Sequence, residues 1–344
     1  VCKMIWRSKA PFRLGLAGGG TDVSPYSDLF GGAILNATVS LFAHSSLELL
    51  EEPIIEFKSI DQNKSLKFPA GVPIPVNTGL NLQCGLYNKL LQNGSLDARG
   101  LRLTTSMDVP PGSGLGTSST LMVSMIKAFA EMLNLPFGDY DLAHLAYEIE
   151  RIDLGLAGGK QDQYAATFGG VNFMEFNKED QVIVNPLRIR QDYLDELEHN
   201  IVLYFTATSR SSSEIIAAQQ QNVAEKKTSS IEAMHHLKEQ SKMMKDALLK
   251  GKLHMVGEIL DYGFEQKKKM ADNISNSNLD AIYHAAKEAG ASGGKISGAG
   301  GGGFMFFYCP LNTKYRVMER LADFGGYFMK YQFTSQGVRS WKSN

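Results

Sequence analysis

Hydrophobic and polar residues follow two different periods along the chain, which predicts a mixture of strands and helices. Five short segments with alternating or β-branched apolar residues are predicted strands: 14–17, 35–50, 101–107, 170–176 and 200–205. Two longer stretches repeat apolar residues at helical spacing. The first has Met122, Met125, Ile126, Phe129 and Leu133 on one face, and the second has Leu142, Leu145, Ala146, Ile149 and Ile152. Asp139 or Asp141 is the predicted N-cap of the second helix.

The second half of the chain shows a different pattern. From residue 212 to about residue 290 it is helical throughout, with Gly251 and the polar run 273–278 as breakers. A strand at 303–308, a short helix at 314–323 and a strand at 327–333 are predicted to follow. We therefore place a domain boundary near 191–198, which gives a mixed, glycine-rich domain 1–194 and a second domain 195–344. The expected fold class is α+β with two domains.

Composition narrows the possible functions. The chain has 344 residues, 43% of them hydrophobic, which is enough for a sizeable core. The formal net charge of −1 supplies no strong long-range field, so we expect neither a nucleic-acid partner nor an anionic membrane surface. A local pocket needs no global charge, so an anionic substrate stays possible.

Cysteines and apolar runs indicate the compartment. Cys2, Cys84 and Cys309 are odd in number and widely spaced, which fits neither a disulfide framework nor a zinc site. The longest apolar runs are far shorter than a membrane span, and the first residues lack a signal-peptide apolar region. We expect a cytoplasmic location.

Glycine is concentrated in three loops, at 16–22, 110–119 and 295–304. The central loop follows a predicted strand and opens the helix that begins at about Thr117. Glycine permits left-handed backbone, so successive N–H groups can converge on an anion at the helix N-terminus. The alternative is an ordinary glycine-rich turn with a Ser/Thr N-cap.

Two familiar nucleotide motifs do not explain these loops. The pattern Gly-x4-Gly-Lys-Ser/Thr is absent from the sequence. Gly298, Gly300 and Gly303 do match Gly-x-Gly-x-x-Gly, but they run into a predicted strand. The dinucleotide fold needs a helix there, so we interpret this match as a false positive. The five glycines of this loop favour a close approach of its backbone to another group, and a tight turn between strands is the alternative.

Taken in order, the three loops resemble the motifs of the GHMP superfamily of galactokinase, homoserine kinase, mevalonate kinase and phosphomevalonate kinase. Residues 10–22 (APFRLGLAGGGTD) resemble its N-terminal substrate motif, 110–119 (PPGSGLGTSS) its ATP-phosphate loop, and 295–304 (KISGAGGGGF) its C-terminal glycine motif. The similarity covers essentially the whole chain. It implies an N-terminal domain with a left-handed β-α-β unit, a ferredoxin-like C-terminal domain, and an active site between them.

The resemblance also implies ligands. ATP phosphates would lie on the central loop, at Pro111, Gly112, Ser113, Gly114, Leu115, Gly116, Thr117, Ser118 and Ser119. Mg²⁺ would be bound by Ser118 and Glu150, since that ion prefers hard oxygen ligands. The helical pattern instead places Glu150 opposite the apolar face, where solvent exposure is expected. The sugar would contact Gly19, Gly20, Thr21, Asp22, Gly300 and Gly301.

A carboxylate and a guanidinium are the implied catalytic groups. Residues 158–163 (GGKQDQ) resemble the family segment with the catalytic aspartate, and Asp162 is the match. Asp162 could accept the proton of the attacking hydroxyl; its alternative role is a turn or cap residue. Arg13 matches the basic residue beside that aspartate, where it would favour the charged carboxylate. Its alternative is a surface position on an edge strand. Asp22 would grip sugar hydroxyls, or instead cap the segment after it.

Several segments indicate which sugar is the acceptor. The form Gly-Gly-Gly-Thr-Asp replaces the Gly-Glu-His-x-Asp of galactokinase, which puts galactose in doubt. Together with 208–213, 267–270, 274–275 and 293–295, it resembles the D-glycero-D-manno-heptose 7-phosphate kinase branch, which phosphorylates the anomeric hydroxyl.

A substrate that already carries a phosphate needs a second basic pocket. Arg210 with its neighbouring serines is our prediction for it, and a helix N-cap run is the alternative. The lysines 267–269 are predicted to form an exposed helix face. ATP and a sugar phosphate are the expected partners, and a homodimer is left open. An L-fucokinase-like enzyme and a non-catalytic sugar-sensing protein are the alternative functions.

Overall fold

A computed structural model describes residues 4–208 and 212–343. Its strands are β1 Ile5–Ala17, β2 Gly32–Leu50, β3 Ile54–Ser59, β4 Lys64–Pro69, β5 Gly100–Met107, β6 Val171–Phe176, β7 Val182–Pro186, β8 Ile201–Phe205, β9 Gly293–Ile296, β10 Phe304–Tyr308, β11 Tyr327–Met329 and β12 Arg339–Ser343. Its α-helices are α1 Tyr26–Phe30, α2 Asn81–Gln92, α3 Thr117–Leu133, α4 Asp139–Tyr147, α5 Gln161–Phe168, α6 Gln191–Asn200, α7 Ser212–Ala224, α8 Thr228–Leu249, α9 Val256–Lys268, α10 Ser277–Glu288 and α11 Lys314–Ala322. A π-helix spans Glu148–Asp153 and a 3₁₀ helix spans Leu253–Met255.

The larger sheet has eight strands, six of them in the order β12-β1-β2-β5-β3-β4, while β6 pairs with β2 and β7 pairs with β6. The register of β1 against β2 shifts between Pro11 and Arg13 and again between Gly15 and Ala17. Such bulges bend a strand and redirect its side chains. The first half of β1 alternates between buried and partly exposed residues, but from Ala10 onward every residue is buried because α3, α5 and α8 pack there.

The smaller sheet has the order β11-β8-β10-β9, and all its strand pairs are antiparallel. Its elements follow one another as β8, α10, β9, β10, α11 and β11, the strand–helix–strand–strand–helix–strand order of ferredoxin-like units. Helices α7, α8 and α9 are inserted between β8 and α10. Both sheets together confirm the predicted α+β class.

Element boundaries differ from the sequence predictions in identifiable ways. Strands β1 and β2 are longer than predicted, β11 already ends at Met329, and β12 was not predicted. The N-cap of α4 is Gly138, and Asp141 acts from the first turn by accepting the Gly138 N–H at 3.0 Å. The domain boundary near residue 194 stays a prediction, and β12 pairs with β1 of the larger sheet.

The π-helix corrects one predicted helix face. Glu150 is fully buried, whereas Ile152 is 63% exposed. Sequence periodicity predicted the opposite for both. The Leu154 N–H donates to the Ile149 carbonyl at 2.9 Å, an i to i+5 bond that takes one extra residue into the turn. The α-helical phase is therefore lost after Ile149, and Glu150 turns inward.

The helices and the cysteines can also be compared with the sequence predictions. Among the residues that the structure describes, no helix is long and apolar enough to cross a membrane. Cys84 and Cys309 are both buried free thiols.

Candidate active site

The three glycine loops meet around one cleft of about 380 Å³. The first loop contributes Gly19, Gly20 and Asp22, the second contributes Gly112, Gly114, Gly116, Thr117, Ser118 and Ser119, and the third contributes Gly298 and Ala299. Asp162, Arg13 and Arg151 also line the cleft, as do Lys267 and Lys295. Segments that lie far apart in the sequence therefore form one site.

The central loop is shaped to bind an anion. Gly112, Gly114 and Gly116 have φ angles of +72°, +83° and +75°, a left-handed region that glycine tolerates and other residues rarely adopt. Gly116 is the N-cap of α3, and no side chain caps that helix. The N–H groups of its first turn consequently stay available at the positive end of the helix dipole.

Two other parts of the molecule hold this loop in place. The Gly114 carbonyl accepts hydrogen bonds from Arg13 NH1 and from Ser297 Oγ, both at 2.9 Å. A Cβ atom at Gly114 would collide with the Ser297 carbonyl, so only glycine allows this approach. Strand β1 and the C-terminal glycine loop thus fix the central loop from both sides.

Not every residue of the predicted phosphate loop faces the cleft. Ser113 and Leu115 are fully buried behind it, and the Ser113 carbonyl accepts the Phe304 N–H at 2.9 Å. Pro111 is exposed and lies outside the cleft lining. The glycines between them face the cleft.

Arg13 and Asp162 form the ion pair that the resemblance implied. Arg13 Nε and NH2 both lie 2.7 Å from Asp162 Oδ1. Arg13 is only 3% exposed, so the alternative surface position is wrong. A Cβ atom at Gly116 would lie 2.8 Å from Asp162 Cγ, which places this carboxylate directly beside the start of α3. A carboxylate is therefore held in a fixed orientation next to the anion-binding loop.

Asp22 joins the substrate motif to the helix that carries Asp162. Its Oδ2 accepts the Lys160 N–H at 2.7 Å and the Gln161 N–H at 2.9 Å, so it caps the N-terminus of α5 and not the segment after itself. Burial raises the pKa of Asp22 and the nearby Asp162 carboxylate adds to the shift, while the two backbone N–H groups oppose it. Asp22 still lines the cleft.

Three predicted sugar contacts support the loops and do not line the cleft. The Thr21 hydroxyl is buried, donates to the Gly18 carbonyl at 2.8 Å and accepts the Ala33 N–H at 3.1 Å. Gly300 and Gly301 pack against Ile274, whose carbonyl accepts the Gly301 N–H at 2.8 Å. Arg210 lies outside the described residues, so its role stays a prediction.

Ser118 and Glu150 lie together as the resemblance implied. Ser118 Oγ donates to Glu150 Oε1 at 3.0 Å, and Gln163 Nε2 donates to Glu150 Oε2 at 2.7 Å. In the described part of the chain, no cluster of three or more His, Cys, Asp or Glu residues could hold a metal ion. One carboxylate and one hydroxyl nevertheless fit Mg²⁺, which usually takes one or two carboxylates and completes its shell with phosphates and water.

The cleft contains two lysines that the sequence analysis did not assign to it. Lys267 is 4% exposed, so the predicted exposed face is correct for Lys269 but wrong for Lys267. Lys267 lies seven residues after the buried Leu260 and three after the buried Phe264, and this helical spacing indicates a buried position. Lys295 is 6% exposed and lies on β9.

Arg151 was also missed. It follows the inward-turned Glu150 on the π-helix, and its side chain is 13% exposed. Its Nε donates to the Gly159 carbonyl at 3.2 Å and its NH2 to Ser119 Oγ at 3.4 Å. A guanidinium therefore reaches the first turn of α3.

Comparisons with known proteins agree with this geometry. The family model described as GHMP kinases N terminal domain matches residues 81–170, and the model GHMP kinases C terminal matches residues 244–326. A D-glycero-alpha-D-manno-heptose 7-phosphate kinase from Campylobacter jejuni is 45% identical over 336 residues, 98% of either chain. A bifunctional fucokinase/GDP-fucose pyrophosphorylase from Arabidopsis thaliana is 26% identical over 93% of this chain and 31% of its own length.

Solved structures agree as well. The crystal structure of a D-glycero-D-manno-heptose 1-phosphate kinase from Bacteroides thetaiotaomicron superposes with a TM-score of 0.84 at 43% identity, covering 98% of this chain and 99% of that one. A mevalonate kinase structure at 20% identity, with a TM-score of 0.74, shares the fold.

The chain therefore belongs to the GHMP kinases and has their two-domain fold. It is a phosphotransferase that uses an alcohol group as acceptor. Within that family it is a sugar kinase of the branch that includes the heptose phosphate kinases.

Proposed function

We propose that this kinase transfers the γ-phosphate of ATP to the anomeric hydroxyl of D-glycero-D-manno-heptose 7-phosphate, giving the 1,7-bisphosphate for nucleotide-activated heptose synthesis. The observation that carries the proposal is the Arg13–Asp162 pair, which lies beside the phosphate loop in one cleft. The 45% identity to the Campylobacter jejuni enzyme supports this acceptor.

Phosphoryl transfer depends mostly on positioning and on neutralising charge. The ATP phosphates would lie along the central loop and accept hydrogen bonds from the N–H groups at the start of α3. Asp162 would accept the proton of the sugar hydroxyl as its oxygen bonds to the γ-phosphorus. The bond from that phosphorus to the β–γ bridging oxygen breaks, and ADP leaves with the bond's electron pair.

The remaining residues hold these groups in place. Arg13 orients the Asp162 carboxylate and fixes the Gly114 carbonyl at the same time. Ser118 and Glu150 would hold Mg²⁺, which when bound neutralises charge on the phosphates. Gln163 keeps Glu150 facing Ser118. Asp22 would accept hydrogen bonds from sugar hydroxyls.

A second candidate acceptor is an unphosphorylated sugar such as L-fucose. The similarity to the fucokinase/GDP-fucose pyrophosphorylase extends over 93% of this chain, which favours a sugar 1-kinase of that kind as the alternative. The two proposals differ in whether the acceptor already carries a phosphate.

Measuring ADP release with a panel of acceptors distinguishes these two proposals. We expect turnover with heptose 7-phosphate and Mg-ATP, with kcat/KM at least about 100-fold lower for free heptose, L-fucose and galactose because they lack a phosphate worth several charge-assisted hydrogen bonds. Phosphorus NMR of the product should show a new phosphate on C1. Faster turnover of L-fucose than of heptose 7-phosphate would show that the acceptor is an unphosphorylated sugar. Binding of ATP and sugar without ADP release would reject an enzymatic role.

A further inference from the structure

Two buried ammonium groups face the cleft without a carboxylate partner. Lys267 Nζ donates to the Gly298 carbonyl, and Lys295 Nζ donates to the Gly15 carbonyl at 2.8 Å. None of the ion pairs formed within residues 4–208 and 212–343 includes either lysine. A single backbone carbonyl satisfies one of the three N–H groups on each nitrogen.

Burying an ammonium group without a carboxylate partner costs folding free energy unless another group supplies the compensating negative charge. Burial and, to a smaller extent, the nearby Arg13 guanidinium lower the pKa of Lys267 to about 8, although Asp22 and Asp162 act in the opposite direction. Burial also lowers the pKa of Lys295, with Lys267 and Arg13 adding to the effect. A buried cation without a partner is normally avoided, so a structural role alone would be better served by an apolar side chain.

The two nitrogens converge on one point of the cleft. A Cβ atom at Gly19 would lie 3.7 Å from Lys295 Nζ and 3.9 Å from Lys267 Nζ. Gly19 has no side chain, so the space in front of both nitrogens stays free. Gly298, which receives the Lys267 hydrogen bond, packs directly on Gly114 of the phosphate loop.

We propose that Lys267 and Lys295 form a phosphate-binding subsite between the substrate motif and the phosphate loop. Its ligand is a phosphate group with two negative charges, which could be the γ-phosphate of the nucleotide or the phosphate that the sugar already carries. Two converging ammonium groups supply the four N–H donors that the backbone carbonyls leave over. This inference rests on the proposed kinase function and adds two binding residues to it.

Isothermal titration of Lys267→Met and Lys295→Met tests the subsite, because methionine keeps the unbranched chain and removes the charge. The ligands are AMP-PNP and ADP, which differ in the γ-phosphate, and heptose 7-phosphate and free heptose, which differ in the sugar phosphate. We expect each substitution to weaken the ligand that occupies the subsite by about 10- to 150-fold. The affinity for the compound of the same pair that lacks this phosphate should change less than about twofold.

Lys269→Met is the matched control, since Lys269 is exposed one residue beyond the same helix and should leave every affinity unchanged. A loss confined to AMP-PNP assigns the subsite to the nucleotide, and a loss confined to heptose 7-phosphate assigns it to the sugar. Affinities within twofold of wild type for all four ligands, in variants with native circular dichroism, would overturn the proposal.

Reductive methylation of the wild-type protein gives a second test that needs no folded variant. Mass spectrometry should show that AMP-PNP or heptose 7-phosphate protects Lys267 and Lys295, whereas Lys269 is methylated equally with and without ligand. Protection by neither phosphate compound would reject the subsite. A wild-type protein that turns over no sugar but shows this protection would refute the proposed function while supporting the subsite.

Discussion

The buried charged groups on the two sides of the cleft differ in sign and in how fully they are hydrogen-bonded. On the side of α3 and the π-helix, the Glu150 carboxylate receives hydrogen bonds from Ser118 and Gln163. On the side of α9 and β9, Lys267 and Lys295 each donate to one backbone carbonyl and have no carboxylate partner among the described residues. One side offers oxygen ligands to a cation, and the other offers unused donors to an anion. The proposed substrates, a magnesium nucleotide and a phosphorylated sugar, would together supply both complements.

Asp162 lies between the two sides, so its removal should have the largest effect. Asp162→Asn keeps the shape but no longer accepts a proton, and we expect kcat to fall by about 100- to 10,000-fold. Nucleotide affinity should stay within about twofold, because the phosphate loop is untouched. Asp192→Asn, at an exposed ion pair with Arg190, is the control. Equal turnover in wild type and Asp162→Asn would remove this residue from its role.

The Glu150→Gln substitution removes the carboxylate on the side of α3 and the π-helix and leaves the two lysines of the other side unchanged. We expect the Mg²⁺ concentration for half-maximal activity to rise by about 10- to 100-fold, because a charged oxygen ligand is replaced by a neutral amide. Magnesium titrations at saturating ATP measure this. Glu148→Gln, two residues away and paired with Lys89, should behave like wild type. An unchanged magnesium requirement would rule Glu150 out as a ligand.

Raising the pH should weaken the binding of an anionic ligand to Lys267 and Lys295. The charged groups that face Lys267 are Arg13, Lys295, Asp22 and Asp162. The pKa of Lys267 is about 8, so the free protein loses this proton between pH 7 and pH 9 while an anionic ligand favours the protonated form. We expect the Kd of the ligand assigned to the subsite to rise about tenfold over that interval.

Titration calorimetry in buffers of different ionisation enthalpy should also detect proton uptake at pH 8.5. Lys267→Met should show weaker binding with a smaller pH dependence. A Kd that stays constant from pH 7 to pH 9 in the wild type would contradict the prediction.

The smallest effect tests why Glu150 faces inward. Ile149 is fully buried, so Ile149→Ala should lower the free energy of unfolding by about 2–5 kcal/mol. Ile152 is 63% exposed, so Ile152→Ala should change it by less than about 0.5 kcal/mol. Urea unfolding measures both. Similar losses at the two positions would show a regular α-helix there and return Glu150 to solvent.

The comparison also shows what a sequence can and cannot predict. Residue spacing was sufficient for the α+β class, and the family resemblance was sufficient for the convergence of the three loops and for the Arg13–Asp162 pair. The resemblance could reach that far because glycine loops and catalytic residues occupy short, characteristic segments.

Features that depend on distant contacts were not predictable in the same way. Glu150 faces inward because one turn leaves α-helical geometry, and no periodic pattern encodes that change. Asp22 caps a helix whose first residue is 139 positions away in the chain. Strand β12 is short and largely polar, so only its pairing with β1 defines it. Lys267 differs from these cases because its spacing from Phe264 did indicate a buried face.

The pairing of β12 with β1 has a practical consequence for handling this enzyme. Five residue pairs, from Ile5–Ser343 to Lys9–Arg339, cover the outer edge of the strand that continues to Arg13. Trimming the chain after Gly337 would leave a row of unpaired amides along that edge, ready to bind a second molecule. Affinity tags and reporter fusions are therefore better joined through a spacer beyond Ser343 than in place of the last strand.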